Sequence, residues 1–420
     1  EGVDDSLGFF FTNVFFGGLP VGANQQQLLD VEFTSHELRF ASAADQRLRW
    51  IGGVYYLETE RRLTTTGDFD FTPTTPIFSR DAFSGAAFVD LAEENDNDAW
   101  AVFGQVEYAF SDALTLIGGF RWIDEEVDFD YTSNFVLFPR DGTLERGGNP
   151  NVLANIGGFT GKYDEGLWSA KVELDWRPND DWLTYVSWNR GVKGGGFNAP
   201  LDVAADPRGQ GQFGFQEEQV DAFEIGFKAS LADGLARLNV AAYYNDYKDF
   251  QAFTILGLAT NVVSAPDAES VGFEAELTLN PMEGLDILVG VGYNDMEIKL
   301  ADGSKTTSIQ SPEWNWGGLA RYQWAAMNGT MAIQGDFHTR SKHFHSISRA
   351  DAVTQGSYHV VNARLSWTTA DEKWEVAVFA DNLTDEEYVV QSFDVAGAFG
   401  WIEEYYGRPR WVGGSINYNF

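Results

Sequence analysis

The sequence predicts an all-β protein, a large antiparallel transmembrane β-barrel of about 15–16 strands. Three observations predict it: period-2 alternation along most of the chain, aromatic residues at both ends of the apolar rows, and a regular exchange of short and long connections.

The alternation is clean. From Trp168 to Trp176 the even positions are Trp168, Ala170, Val172, Leu174 and Trp176, while Ser169, Lys171, Glu173 and Asp175 lie between them. Trp100, Val102, Val106, Tyr108 and Phe110 stand opposite Gln105 and Glu107, and Phe223, Ile225 and Phe227 alternate with Glu224 and Lys228. One face of each strand is therefore apolar and the other ionised. Alternation alone fits either a soluble sandwich or a barrel turned inside out, with apolar groups toward lipid and polar groups toward a wet lumen. Rings at both ends of a row, such as Trp168 with Trp176 or Trp100 with Phe110, suit two membrane interfaces, where a ring has one wet and one apolar side.

The connections separate the two. Short turns are expected at 43–45, 111–112, 178–180, 232–234, 282–284, 327–329 and 370–372, with long polar segments near 60–98, 130–164, 193–217, 251–267, 299–311, 344–357 and 383–407. Short turns on one side and long loops on the other are the outer-membrane barrel pattern. The strands between them are expected at 29–42, 46–59, 99–110, 113–129, 166–177, 182–192, 218–231, 235–250, 268–279, 284–298, 313–325, 330–342, 358–368, 373–382 and 408–420. Ser6–Phe16 is a further candidate, and it would make the number even, as antiparallel closure requires. The parity of the fifteen and their start on the long-loop side suit the C-terminal part of a longer barrel, so residues 1–420 are expected to be a partial barrel domain.

Composition narrows the function. No run approaches the roughly 18 apolar residues of a transmembrane helix. With Cys 0, disulfides, thiolate zinc sites and thiol nucleophiles are excluded. A net charge of -35 repels phosphate backbones, so no nucleic-acid partner is expected. Ser and His lie scattered, with no nucleophile elbow, so no catalytic residues, cofactor or metal are expected and the protein is not read as an enzyme. The acidic runs Asp90–Asp98 and Asp124–Asp130 lack EF-hand spacing and are expected to be solvated outer loops. Gly194–Gly196 lacks the P-loop pattern and is expected to be a flexible loop base. His343 and His345 share one face of an extended segment beside a long loop, and are expected to be a loop pair without a metal.

Several segments resemble the TonB-dependent receptor family, in that family's order. Trp182–Asn198 is similar to its "Y-x-S-x-x-x-G-F-K-x-G-G-F-N" stretch, and Glu218–Lys228 to its "E-x-x-x-x-Y-E-x-G-x-K" strand. Tyr243–Gln251 resembles the outer end of the next strand, Glu269–Glu274 "S-x-G-x-E", and Asp381–Tyr388 "N-L-x-D-x-x-Y". Gly407–Arg410, the closing Tyr418–Phe420 and, less specifically, Ser35–Ser42 extend the likeness. The resemblance implies part of a 22-stranded barrel whose plug domain, TonB box and first strands lie outside this sequence. It implies a multi-pass protein of the Gram-negative outer membrane that imports a scarce nutrient with energy from TonB. A ferric siderophore is the leading ligand class, and cobalamin, haem and oligosaccharides are others. The implied partners are outer-membrane lipid, the TonB complex and the barrel-assembly machinery. The last strand would carry the assembly signal in Ile416, Tyr418 and Phe420, and Arg190, Lys193, Phe197, Asn198, His343 and His345 are the candidate substrate-binding residues. A passive porin-like channel and a soluble all-β binding protein are the rival readings.

Overall fold

The computed structural model describes residues 5–16, 19–71, 85–139, 153–199, 213–256, 259–394 and 402–420. One antiparallel sheet dominates, 17 strands by hydrogen bonding, of which one is a two-residue spur at Lys305–Thr306. The other sixteen follow chain order. They are β1 (Asp5–Phe16), β2 (Leu19–Ala41), β3 (Leu48–Phe71), β4 (Gly85–Ala109), β5 (Leu114–Pro139) and β6 (Leu153–Asn179). There follow β7 (Trp182–Lys193), β8 (Glu218–Leu231), β9 (Ala236–Leu256), β10 (Ala259–Met282) and β11 (Leu285–Lys299). The series ends with β12 (Trp314–Ala326), β13 (Gly329–Arg340), β14 (Tyr358–Thr369), β15 (Trp374–Asp381) and β16 (Trp411–Tyr418). Each pairs antiparallel with its neighbour in sequence, a pure meander, and Asp5–Phe16 is the extra strand that makes the set even.

Register carries the faces across the sheet. Leu38, Val54, Val102, Trp122 and Trp168 are successive cross-strand partners from β2 to β6. In this row Leu38, Val54 and Val102 are each about half exposed. So broad an apolar surface open on one side of a sheet is the mark of a lipid-facing wall. The reverse face is polar: Arg49 pairs with Glu107 at 2.7 Å, Lys171 with Glu173 at 2.9 Å, and Tyr185 donates to Glu224 at 2.5 Å. Rings cluster at two levels of the outer face. Trp100 packs on Trp122 with centroids 4.8 Å apart toward the long connections, and Trp182 stacks on Phe227 at 5.1 Å toward the short turns. Eight steps from Trp168 to Trp176, at about 3.3 Å each and a tilt of about 40°, span roughly 20 Å, close to the apolar belt of a barrel.

The short turns come where expected. Met327 and Asn328 both have positive φ (52° and 56°), the two-residue hairpin geometry that matches strand twist. Gly284 has φ +79°, and a Cβ there would strike the Gln323 carbonyl.

The long segments differ from expectation. Most of 60–98, 130–164 and 251–267 is strand: β3 runs to Phe71, β4 starts at Gly85, β5 ends at Pro139, β6 starts at Leu153, β9 runs to Leu256 and β10 starts at Ala259. Backbone pairing needs no apolar face, so ladders continue beyond the lipid with polar groups on both sides. The acidic runs are therefore strand faces: Arg62 reaches Glu60 at 3.2 Å and Glu94 at 3.6 Å, and Lys162 pairs with Glu126. The last strand is also shorter than 408–420. It starts at Trp411, because Pro409 has no N–H for the ladder and the Arg410 N–H is taken by Asp385 at 2.9 Å.

Candidate functional site

The polar face carries two adjoining cavities below the long connections. One, of about 560 Å³, is lined by Glu224, Tyr243, Tyr247, Glu274 and Asn294. The other, of about 620 Å³, adds Tyr185, Lys228, Asn239 and Glu276. Glu274, Gly292 and Asn315 line both, so they form one groove down the inner wall. Asn294 organises its upper part: its Oδ1 accepts from Ser270 at 2.5 Å and from Tyr243 at 3.3 Å, and its Nδ2 donates to Ser311 at 3.0 Å. Such a wall offers hydroxyl, amide and carboxylate groups and is net acidic.

The described ends of the connection after β7, residues 194–199 and 213–217, lie against the inner face. Gly196–Phe197 pairs with Gly214–Phe215 in a small ribbon. Phe197 stacks on Phe129 (centroids 5.4 Å), and Phe213 packs tilted against Phe159 (4.6 Å). Phe129, Tyr131 and Phe213 are 3%, 1% and 1% exposed, so this aromatic knot is a true small core. Burial pushes the Tyr131 hydroxyl up to about 12, keeping it neutral. The glycine run is not a flexible base: a Cβ on Gly195 would lie 2.6 Å from the Tyr163 ring, and one on Gly196 2.8 Å from the Phe215 ring. Glycine is needed there for close approach.

The predicted site residues do not converge. Arg190 lies on the outer face, since it partners Ala170 and Asp221 in the lipid-facing row. Its Nε donates to Asp221 Oδ1 at 3.0 Å, its second guanidinium arm also reaches Asp221, and the group lies 4.3 Å over the Trp168 ring. Trp188 Nε1 donates to the same carboxylate at 3.0 Å. This is a satisfied ion pair within the outer aromatic level, facing away from the groove. Lys193 has the opposite parity, faces inward beside Glu218, and is exposed. Phe197 is committed to the aromatic knot, and Asn198, 7% exposed, is committed to backbone. Its Nδ2 donates to Phe213 O (3.1 Å) and Val262 O (2.8 Å), and its Oδ1 accepts from Val262 N (2.7 Å). His343 and His345 are 2% and 5% exposed, with centroids 5.3 Å apart, inside the 341–357 connection; neither lines a cavity, although Phe344 between them accepts from the N–H of the lining residue Gln310 at 2.7 Å.

Ile416 is 70% exposed on the lipid-facing wall opposite Val376, and Tyr418 packs on Trp374 at 4.6 Å. Phe420 stands beyond the strand, its ring 5.1 Å from Tyr418, while Asn419 pins the tail to Lys373 O at 2.8 Å. Phe129, Phe159 and Phe213 were missed in the sequence. Their signal was present: Phe129 and Tyr131 occupy inward positions of β5, where a wet lumen would call for polar groups, and so announce a cover.

The chain matches a family model described as "TonB dependent receptor-like, beta-barrel" over residues 4–383. Among solved structures it is similar to the ferric yersiniabactin uptake receptor FyuA from Yersinia pestis, at 19% identity and TM-score 0.74, covering 99% of this chain and 57% of that one. It is also similar to the siderophore receptor PiuA from Acinetobacter baumannii (14%, TM-score 0.67, 98% and 60%). A third likeness is to the copper transporter OprC (12%, TM-score 0.59, 96% and 69%). The chain thus spans less than two thirds of the first two. A sixteen-strand meander with a lipid-type outer wall, a polar inner wall and a family match across most of its length leads to one conclusion: this chain belongs to the TonB-dependent receptor family, and it is β-barrel domain.

Proposed function

We propose that the protein is an outer-membrane importer that captures a scarce metal chelate of the ferric siderophore type at its outer mouth and moves it inward with energy from TonB. The observation that carries this is the polar groove on the inner wall, with a built aromatic knot on the same face, on a barrel of this family. One similar structure is named a siderophore receptor and another a ferric yersiniabactin uptake receptor, which supports the ligand class. The domain is proposed to work with a plug and a TonB box lying outside these 420 residues, and to be inserted by the barrel-assembly machinery into outer-membrane lipid.

The groove's charge refines the ligand. Glu224, Glu274 and Glu276 face it against Lys228, within a chain of net charge -35. A highly anionic chelate would be repelled there, whereas a neutral or cationic ferric chelate would be drawn in. The test is uptake of radioactive iron by cells that carry or lack the protein, offered as a neutral ferric hydroxamate or an anionic ferric catecholate. Receptor-dependent uptake of the hydroxamate that stops in cells lacking TonB supports the reading. Uptake that persists without TonB would make the protein a passive channel, and no receptor-dependent uptake of either chelate would remove the siderophore class.

A further inference from the structure

The 341–357 connection carries a buried pair that lies outside both cavity linings. His343 and His345 stack edge to face, with centroids 5.3 Å apart, and are 2% and 5% exposed. His343 Nδ1 meets the Ser341 carbonyl at 3.0 Å. Neither ring nitrogen of His345 has a hydrogen-bond partner; the Val389 backbone approaches its ring without reaching hydrogen-bond geometry. Among the described residues no third His, Asp, Glu or Cys joins the pair to complete a metal site.

The pair sits where three outer connections are knitted together. From 300–313, Gln310 N donates to Phe344 O and Thr306 Oγ1 to Ile347 O, both at 2.7 Å. From 382–410, Val389 N donates to Gln355 Oε1 at 2.7 Å. Within 341–357 itself, His345 N donates to Val353 O at 2.9 Å. The charged surroundings give a proton little welcome. Arg340, at the end of β13, lies beside His343 and the Tyr358 hydroxyl. On the same connection Lys342 and Arg349 flank the Phe344 ring at 5.1 and 4.8 Å. Tyr358 of β14 stacks on Tyr388 at 4.6 Å and closes that side. Among the described residues, Glu404 on the 382–410 connection is the group of opposite sign acting on His345.

We propose that His343 and His345 form a proton-operated latch: with both imidazoles neutral the three outer connections close on one another, and protonation of the pair releases 341–357 from 382–410. Two imidazolium groups in this shell would be desolvated, adjacent to each other and next to Arg340, with Glu404 and the Ser341 and Val389 backbone as the compensating groups. Burial holds both imidazoles below their ordinary value of 6.5. The closed form therefore binds fewer protons than the released form. Closure is complete above about pH 6.5 and is lost as pH falls below it.

The chain has Cys 0, so a single cysteine at the exposed Ser348 (Ser348→Cys) can carry a spin label in the protein held in outer-membrane vesicles. The latch predicts that the mobile-to-immobile ratio of the label rises about tenfold, reversibly, between about pH 7.5 and pH 5. His343→Gln with His345→Gln should flatten that profile. Glu404→Gln, which leaves both histidines in place, should move the transition to higher pH. A flat wild-type profile, or an unchanged profile in either variant, overturns the proposal. So does zinc sulfate immobilising the label at pH 7.5 in the wild type and not in the double variant, because the pair would then be a metal site.

Discussion

Asn198 and Val262, 64 residues apart, are joined as two strand residues would be: Asn198 Oδ1 accepts from Val262 N at 2.7 Å and its Nδ2 donates to Val262 O at 2.8 Å. A side-chain amide here completes the backbone pairing of β10 and ties the inward-folded connection to the wall. Asn198→Ala removes the partners of both Val262 backbone groups, while the Phe213 carbonyl keeps its 2.8 Å bond from the residue 198 backbone N–H, at a cost of about 1–3 kcal/mol local to that connection. Hydrogen exchange should show amides near 196–199 and 213–216 exposed while the strands stay protected. Unchanged protection at 213–216 would show that the aromatic knot holds the connection by itself.

Arg190 gives a second prediction. It is held by Asp221 and Trp168 on the outer face. Arg190→Ala should lower barrel stability by about 1–3 kcal/mol, through a carboxylate left with Trp188 Nε1 but no cation and through lost stacking, and leave ligand affinity unchanged. Asp221→Ala should cost a similar amount. Titration of the purified variants with ligand checks this: a tenfold loss of affinity in Arg190→Ala at unchanged stability would return Arg190 to the binding site.

Phe420 separates assembly from stability. Its ring touches Tyr418 but lies outside the β15–β16 ladder, and Asn419 already anchors the tail. Deleting Phe420 should change folded stability by less than about 1 kcal/mol, while the amount of protein reaching the outer membrane falls sharply. Quantitative fractionation of cells reads this out, and normal membrane levels would make Phe420 an ordinary lipid-facing residue.

The two faces of β6 differ in what they tolerate. Val172, 48% exposed, faces outward, whereas Glu173 faces the polar side beside Lys171. Val172→Arg should cost about 2–4 kcal/mol if it lies near the bilayer midplane. Glu173→Arg should cost under about 1 kcal/mol, since it removes a part-exposed ion pair. Unfolding from lipid vesicles measures both.

The meander, the strand limits at the short turns and the outer wall were legible because each rests on period 2, which the sequence displays directly. The strand ends on the outer side were not. Beyond the lipid both faces turn polar, and Thr64, Thr65 and Thr66 read equally as loop or ladder. The candidate site was less legible. Arg190 was placed by nearness to a loop, although its parity with Val186 and Trp188 already set it on the outer face. Phe197 and Asn198 looked available because nothing local shows that Phe129 and Val262 come to meet them. The "N-L-x-D-x-x-Y" likeness at Asp381–Tyr388 proves to be a clasp: Asn382 Nδ2 donates to Glu386 O at 2.8 Å and Arg408 O at 3.0 Å, and Asp385 takes the Arg410 N–H.

The most direct test of a lipid-facing outer wall is a thiol scan along β6. With Cys 0 in the chain, single cysteines can be placed at each position from Trp168 to Trp176 and exposed to a membrane-impermeant thiol reagent in outer-membrane vesicles. The account predicts a period of two: Ser169, Lys171, Glu173 and Asp175 positions react from the wet lumen, while Ala170, Val172 and Leu174 positions are shielded by lipid. Equal labelling at alternate positions would mean water on both faces, and the barrel assignment would fail.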